Sequence, residues 1–288
     1  MPARPTDQTR PFRSVLYIPG ANERALEKAR GLAADAIIFD LEDAVSPDEK
    51  VAARSILAGV LKTGDYGRRV RIVRVNGLDT AWGRDDIAAF AGLDIDALLI
   101  HKVGSAADVE AVAGLSRDIG LWAMMENPAG MLHAAEIAAH PRLTGMVMGT
   151  NDLAKDLGAR FQPDRMPLLA GLQLCLLAAR AAGIVIVDGV YNAFRDEEGL
   201  RRECNQGRDM GFDGKTLIHP AQLAVANEVF APSAKEIDLA RRQIDAYEAA
   251  RAEGRGVAVL DGRIVENLHA AAARATLDRA GAIAEMGL

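Results

Sequence analysis

The chain has 288 residues, half of them apolar but only 5% aromatic, with 34 basic against 40 acidic side chains and a formal charge of −6. That length allows one large barrel or two ordinary domains around a substantial core, and the acidic balance argues against a nucleic-acid or anionic-membrane surface. No stretch approaches the ~20 uninterrupted apolar residues of a membrane span, and two cysteines, Cys175 and Cys204, suit a reducing compartment without a disulfide framework. The opening MPARPTDQTRP lacks the apolar centre of a signal sequence and reads as a flexible tail, so a cytoplasmic enzyme is expected.

Short apolar, β-branched runs then recur at 14–18, 36–40, 71–75, 97–100, 121–125, 146–148, 184–187 and 214–218. They are almost continuously apolar rather than alternating, which predicts strands buried on both faces, as in a parallel sheet. Helical patterns fall between them at 23–33, 47–62, 81–91, 106–117, 129–138, 167–181, 197–210 and 221–230. The second of these starts S-P-D-E, giving Ser46 as a cap, Pro47 at the first helical position and Glu49 to close a capping box. Eight βα units in about 220 residues predict an α/β fold of the TIM-type (β/α)8 barrel kind over residues 1–232, with a doubly wound sheet as the competing arrangement. Residues 233–288 form a C-terminal helical and hairpin extension: a charged helix at 233–255, a hairpin turning at Asp261–Gly262, and an alanine-rich helix from about Asn267 to Ala284. A lid or an oligomer arm is its expected role.

Polar residues end nearly every strand: Asp40, Glu42 and Asp43; Arg74 and Asn76; His101 and Lys102; Glu126; Asn151 and Asp152; Asp188; Lys215 and His219. Capping accounts for any one of them, but polar ends around a whole barrel rarely serve stability. Glu126 and Asp152 stand out because each follows a short apolar run. Two carboxylates without a histidine or cysteine cluster suit a hard cation held by oxygens, and so a magnesium site.

The segments R-S-V-L-Y-I-P-G, F-D-L-E-D-A-V-S-P-D-E-K, R-V-N-G, M-E-N-P-A-G, G-T-N-D-L and D-G-K-T-L-I-H-P together resemble the citrate lyase beta-subunit-like family of malyl-CoA and citramalyl-CoA lyases over nearly the whole chain. The resemblance implies a Mg2+-dependent barrel enzyme, with Mn2+ as a substitute, that works as a homotrimer or hexamer on a CoA-thioester substrate. Cleavage of a 3-hydroxyacyl-CoA into an acyl-CoA and a 2-oxoacid is the implied reaction. It implies Glu126 and Asp152 as metal ligands, Glu126 and Arg74 at the substrate, Glu42 and Asp43 close to the metal and its waters, and Lys28 on the CoA phosphates. A guanidinium at Arg74 can hold a carboxylate through two parallel hydrogen bonds. Metal polarisation takes the place of a Schiff base; a Schiff base at Lys102 or Lys215 is the rival route.

One stretch departs from the family pattern. Where the lyases carry an aspartate that reaches a neighbouring subunit's site, this chain reads D-G-R-I-V-E-N-L and places Glu266, followed two residues later by Leu268. One extra methylene moves the charge by roughly 1.5 Å, and about 1 Å of misplacement can cost on the order of a hundredfold in rate. Thioester hydrolysis of malyl-CoA, with Glu266 activating a water, is therefore the alternative to carbon–carbon cleavage. A catalytically silent CoA-ester-binding relative is the alternative from another class.

Overall fold

The computed structural model describes residues 10–287, so most of the expected N-terminal tail lies outside the described residues. Eight parallel strands close into a barrel in chain order: β1 (Ser14–Pro19), β2 (Ala36–Asp40), β3 (Val70–Arg74), β4 (Ala97–Ile100), β5 (Gly120–Met125), β6 (Leu143–Met148), β7 (Val185–Asp188) and β8 (Gly214–Leu217). The β1–β8 pairing, from Ser14 with Lys215 to Leu16 with Leu217, completes the ring and excludes the doubly wound alternative. Among the described residues no helix is long and apolar enough to cross a membrane.

Alternate residues of each strand point inward. Val15, Ala36, Ile38, Val70, Ile72, Ala97, Leu99, Trp122, Met124, Val147, Val185 and Val187 fill the barrel with Phe12 at its floor. The Phe12 and Trp122 rings meet at 5.4 Å between centroids. Gly145 sits against the Trp122 indole, where any Cβ would overlap the ring, so the small residue makes room for the large one. The opposite strand faces pack against the helices in a second, larger apolar layer, which is why these strands read as unbroken hydrophobic runs.

Several expected boundaries shift for identifiable reasons. Strand β6 begins at Leu143 rather than 146: Thr144 and Gly145 interrupt its apolar run, and the register with β5 shifts there, from Leu121 opposite Leu143 to Trp122 opposite Gly145, yet the pairing continues on both sides. The helix expected at 129–138 is two short helices, Pro128–Leu132 and Ala134–Ala138, divided at His133. The capping box at Ser46 does not form: the Ser46 hydroxyl donates to Glu49 Oε2 at 2.7 Å instead of accepting from the backbone. Pro47–Glu49 is consequently a 3-10 turn leading into the helix Lys50–Thr63. An unexpected helix, Thr150–Asp156, follows β6 directly.

The chain divides into two compact units, the first running through Phe230 and the second containing Ala231–Leu288. In the second, Ser233 and Glu236 form a capping box at the start of the helix Ala234–Ala252. A two-stranded ladder follows, β9 (Ala258–Leu260) with β10 (Arg263–Val265). It turns through Asp261 at φ 48° and Gly262 at φ 75°, the left-handed pair that a two-residue hairpin requires. Helix Asn267–Met286 ends the described chain.

Candidate active site

Inward alternation continues past the apolar core to the carboxyl ends of the strands. Tyr17 and Pro19 follow Val15, Asp40 follows Ile38, Arg74 follows Ile72 and Glu126 follows Met124. All five line one cavity of about 340 Å3, together with Asp43, Gly149, Thr150, Asn151, Asp152, Val190 and Ile218. Barrel enzymes carry their chemistry at this end.

Glu126 is buried, and its Oε1 accepts the Lys102 backbone N–H at 2.6 Å. Lys102 holds that N–H in place from a left-handed conformation, φ 54°. Gly149 presses its backbone against the Glu126 side chain so closely that a Cβ there would overlap the carboxylate. The same turn starts the helix Thr150–Asp156, so half-buried Asp152 in its first turn shares the cavity with Glu126. Burial pushes the Glu126 carboxyl up to about 7; the Lys102 hydrogen bond opposes this and the Asp152 charge adds to it. A carboxylate that pays for both burial and a like charge is one that a cation would relieve.

The donors here are hard oxygens. Among the described residues no group of three or more histidine, cysteine or acidic side chains forms a closed metal cage. Two carboxylates and an open cavity fit Mg2+, which keeps several water positions and is seldom enclosed by protein alone.

Arg74 lies at the centre of a carboxylate cluster. Its Nε and Nη2 donate to the two oxygens of Asp40 at 2.7 and 2.5 Å. Its Nη1 contacts Glu42 Oε2 at 3.0 Å and Asp43 Oδ2 at 3.1 Å. The guanidinium also lies 5.2 Å from the Tyr17 ring centroid. Burial disfavours its charge, yet the Asp40 hydrogen bonds and charge hold its pKa above the ordinary arginine value. The planar fork expected for a substrate carboxylate is thus occupied by Asp40, which orients the arginine and leaves Nη1 as its outward group.

The acidic pair of β2 divides between two cavities. Asp43 lines the 340 Å3 cavity and also a neighbouring one of about 680 Å3, whereas Glu42 lines only the second. The Glu42 carboxylate is held by Nη1 of Arg74 and by the Asp43 backbone N–H at 2.9 Å, near enough for its charge to act on Glu126. Burial raises its carboxyl to about 7 against the Arg74 charge. Asp43 lies lower than an ordinary aspartate: burial opposes this, but the Glu42 contact and Arg74 outweigh it.

Other expected groups are placed differently. Lys28 is exposed in the last turn of the helix Glu23–Ala29 and does not line the cavity of Glu126. Glu266 belongs to the second unit, where it precedes the helix Asn267–Met286 and its backbone N–H donates to His269 Nδ1 at 3.2 Å. Lys215 is wholly buried against Glu203 at 2.6 Å and Asp188 at 3.2 Å. Although burial alone would depress it, those two acids hold its pKa above the usual lysine value, the opposite of what activates a Schiff-base amine. His219 stacks on Phe194 at 4.5 Å. Sequence reasoning did not find Tyr17, Thr150, Val190 and Ile218. Tyr17 carried a usable signal, since it is two residues beyond inward-facing Val15.

A closed eight-stranded barrel with paired carboxylates and a buried arginine at the carboxyl ends of its strands defines a TIM-barrel protein with an acidic site at its mouth. Residues 13–220 match the model of the HpcH/HpaI aldolase/citrate lyase family, and the chain belongs to that family. It is 71% identical over 280 residues, 97% of this chain and 98% of the relative, to a (3S)-malyl-CoA thioesterase of Cereibacter sphaeroides. An L-malyl-CoA/beta-methylmalyl-CoA lyase from the same species is 38% identical, covering 91% of this chain and 92% of the lyase. Among solved structures, the Mycobacterium tuberculosis protein CitE in complex with magnesium, acetoacetate and coenzyme A superposes with a TM-score of 0.80 at 32% identity, covering 95% of this chain and 99% of CitE. The chain is an enzyme of this CoA-thioester-processing group. The expected carbon–carbon lyase activity holds only at the level of the family, since relatives at far higher identity are thioesterases.

Proposed function

We propose that this protein is a Mg2+-dependent thioesterase that hydrolyses (3S)-malyl-CoA to malate and coenzyme A. The observation that carries this reading is 71% identity to a (3S)-malyl-CoA thioesterase across nearly the full length of both chains. The geometry agrees, because a small cavity combining a carboxylate pair with a cationic nitrogen suits a short hydroxy acid bearing a free carboxylate.

Glu126 and Asp152 would hold the ion, which when bound supplies Lewis acidity towards a substrate oxygen. Nη1 of Arg74 takes the malyl carboxylate, with Asp40 fixing the plane of the guanidinium. Water oxygen bonds to the thioester carbonyl carbon, the C–S bond breaks, and sulfur leaves with the electron pair and takes up a proton. Glu266, contributed by a neighbouring copy in a homotrimer or hexamer, is the proposed acceptor of the water's proton. Exposed apolar side chains around it, Ile264 at 65% and Leu268 at 61%, support an arm that packs elsewhere. Exposed Lys28 is assigned to the CoA phosphates.

Incubation of purified protein with (3S)-malyl-CoA and Mg2+, followed by product identification, tests the proposal. Free malate with coenzyme A is expected; glyoxylate with acetyl-CoA would show a lyase instead.

A further inference from the structure

The 680 Å3 cavity beside the catalytic one contains a polar group that nothing so far has used. His101 follows β4, two residues beyond inward-facing Leu99, and its side chain is 10% exposed. Both ring nitrogens are buried, and neither has a hydrogen-bond partner. A fully unsatisfied buried imidazole is uncommon and costs stability. Its nearest acidic neighbour is Glu42, whose Oε1 lies 3.6 Å from His101 Nδ1, just beyond hydrogen-bond range. The ring is neutral, because burial and the charges of Lys102 and Arg74 push it down to about 4. In the tautomer with hydrogen on Nδ1 it is a donor without an acceptor.

Glu42 in turn depends on Arg74. Resting on the reading that Nη1 of Arg74 receives the substrate carboxylate, that nitrogen must loosen its present contacts when substrate binds. Asp40 cannot move aside: it is 2% exposed and also accepts the backbone N–H groups of Glu42 and Ala44 at 2.8 and 3.1 Å. Asp43 can return to water, since its side chain is 70% exposed. Glu42, at 13%, has no such exit: it keeps the Asp43 backbone N–H on Oε2 but loses its only charged partner there, while its Oε1 faces His101.

We propose that His101 is a positioning residue that receives the Glu42 carboxylate when the substrate's carboxylate takes Nη1 of Arg74. The 3.6 Å separation closes to a hydrogen bond, so the buried acid exchanges the guanidinium contact for the imidazole N–H while keeping the Asp43 backbone N–H. On the other side of the ring Gly77 lets the Asp79 carboxylate and the imidazole come close, since a Cβ there would overlap Asp79 Oδ1 and lie 3.2 Å from His101 Nε2.

The test compares His101→Leu, which removes the donor, with His101→Asn and His101→Gln, which keep an amide N–H. Malate binding in the presence of Mg2+, malyl-CoA kinetics and thermal unfolding are measured together. In the leucine variant the malate Kd and the malyl-CoA KM rise about tenfold or more, kcat stays within about threefold, and Tm holds or rises because an unsatisfied polar group has been removed. At least one amide variant recovers the Kd to within about threefold of wild type. In the wild-type protein the His101 Nδ1 proton resonance shifts on adding malate with Mg2+, and in Glu42→Gln it does not. Unchanged malate affinity in His101→Leu overturns the proposal, as does weaker binding accompanied by a lower Tm with no recovery in either amide variant. A wild-type protein that binds malate but leaves malyl-CoA intact overturns the thioesterase reading alone, while the malate measurements still decide this one.

Discussion

Two buried charge clusters on the same barrel differ in their balance. Outside β7 and β8, Arg165 and Lys215 meet Asp188 and Glu203, two cations against two anions. At the mouth, Arg74 is ion-paired with Asp40, Glu42 and Asp43, and Glu126 with Asp152 adds more negative charge in the same cavity as Arg74. The outer cluster settles its charges internally and is read as structural. The mouth cluster holds more acids than the arginine they share can pair, and burial, with neighbouring carboxylates adding to it, pushes the Glu42 and Glu126 carboxyls up to about 7. Excess negative charge sustained by a folded protein is a sign that a cationic ligand belongs there.

The largest expected effect comes from upsetting the balanced cluster. Lys215→Met leaves Asp188 and Glu203 with one cation between them, and should destabilise the fold by about 3–5 kcal/mol, read by urea unfolding. An unchanged midpoint would show that the outer network is dispensable. At the mouth, Asp152→Asn should instead lower malyl-CoA hydrolysis by at least about a hundredfold and abolish the Tm rise produced by Mg2+, while leaving stability without metal nearly unchanged. Full activity in that variant, or in chelator-treated protein, would remove Glu126 and Asp152 as the metal site. Arg74→Lys keeps the charge but loses the bidentate grip on Asp40, and about a tenfold to hundredfold rise in KM is expected from steady-state kinetics.

The smallest effect concerns acid. Burial opposes ionisation of Asp188, but Lys215 and Arg165 hold its pKa below the ordinary value. A depressed carboxyl contributes stability that is fully present above the unfolded value of about 3.9 and is lost as pH falls through its folded value. Acid unfolding followed by circular dichroism should therefore begin at higher pH in Lys215→Met than in the wild type.

Much of the barrel mouth was legible from spacing. Glu126, Asp152 and Arg74 end or follow apolar strands, and the structure places all three around one cavity. The role of Arg74 was less legible: a linear reading cannot show that Asp40 occupies its fork while Nη1 is shared. Glu42 and Asp43 are adjacent in sequence, but in the turn beyond β2 Asp43 lines both cavities and Glu42 only the larger, a difference that no strand periodicity encodes. The helix Thr150–Asp156 was hidden because its motif reads equally well as a turn.

By itself, the sequence determined eight strands in βα units and the acidic residues at their ends, because these follow from local apolar periodicity and residue types, whereas the β1–β8 pairing decided for a closed barrel over a doubly wound sheet. Only the tertiary structure decided which charges are paired and which are left wanting. Charge balance depends on distances between strands far apart in the chain, such as the 3.6 Å between His101 and Glu42 or the 2.6 Å between Lys215 and Glu203. No periodicity encodes those distances; closing the barrel sets them.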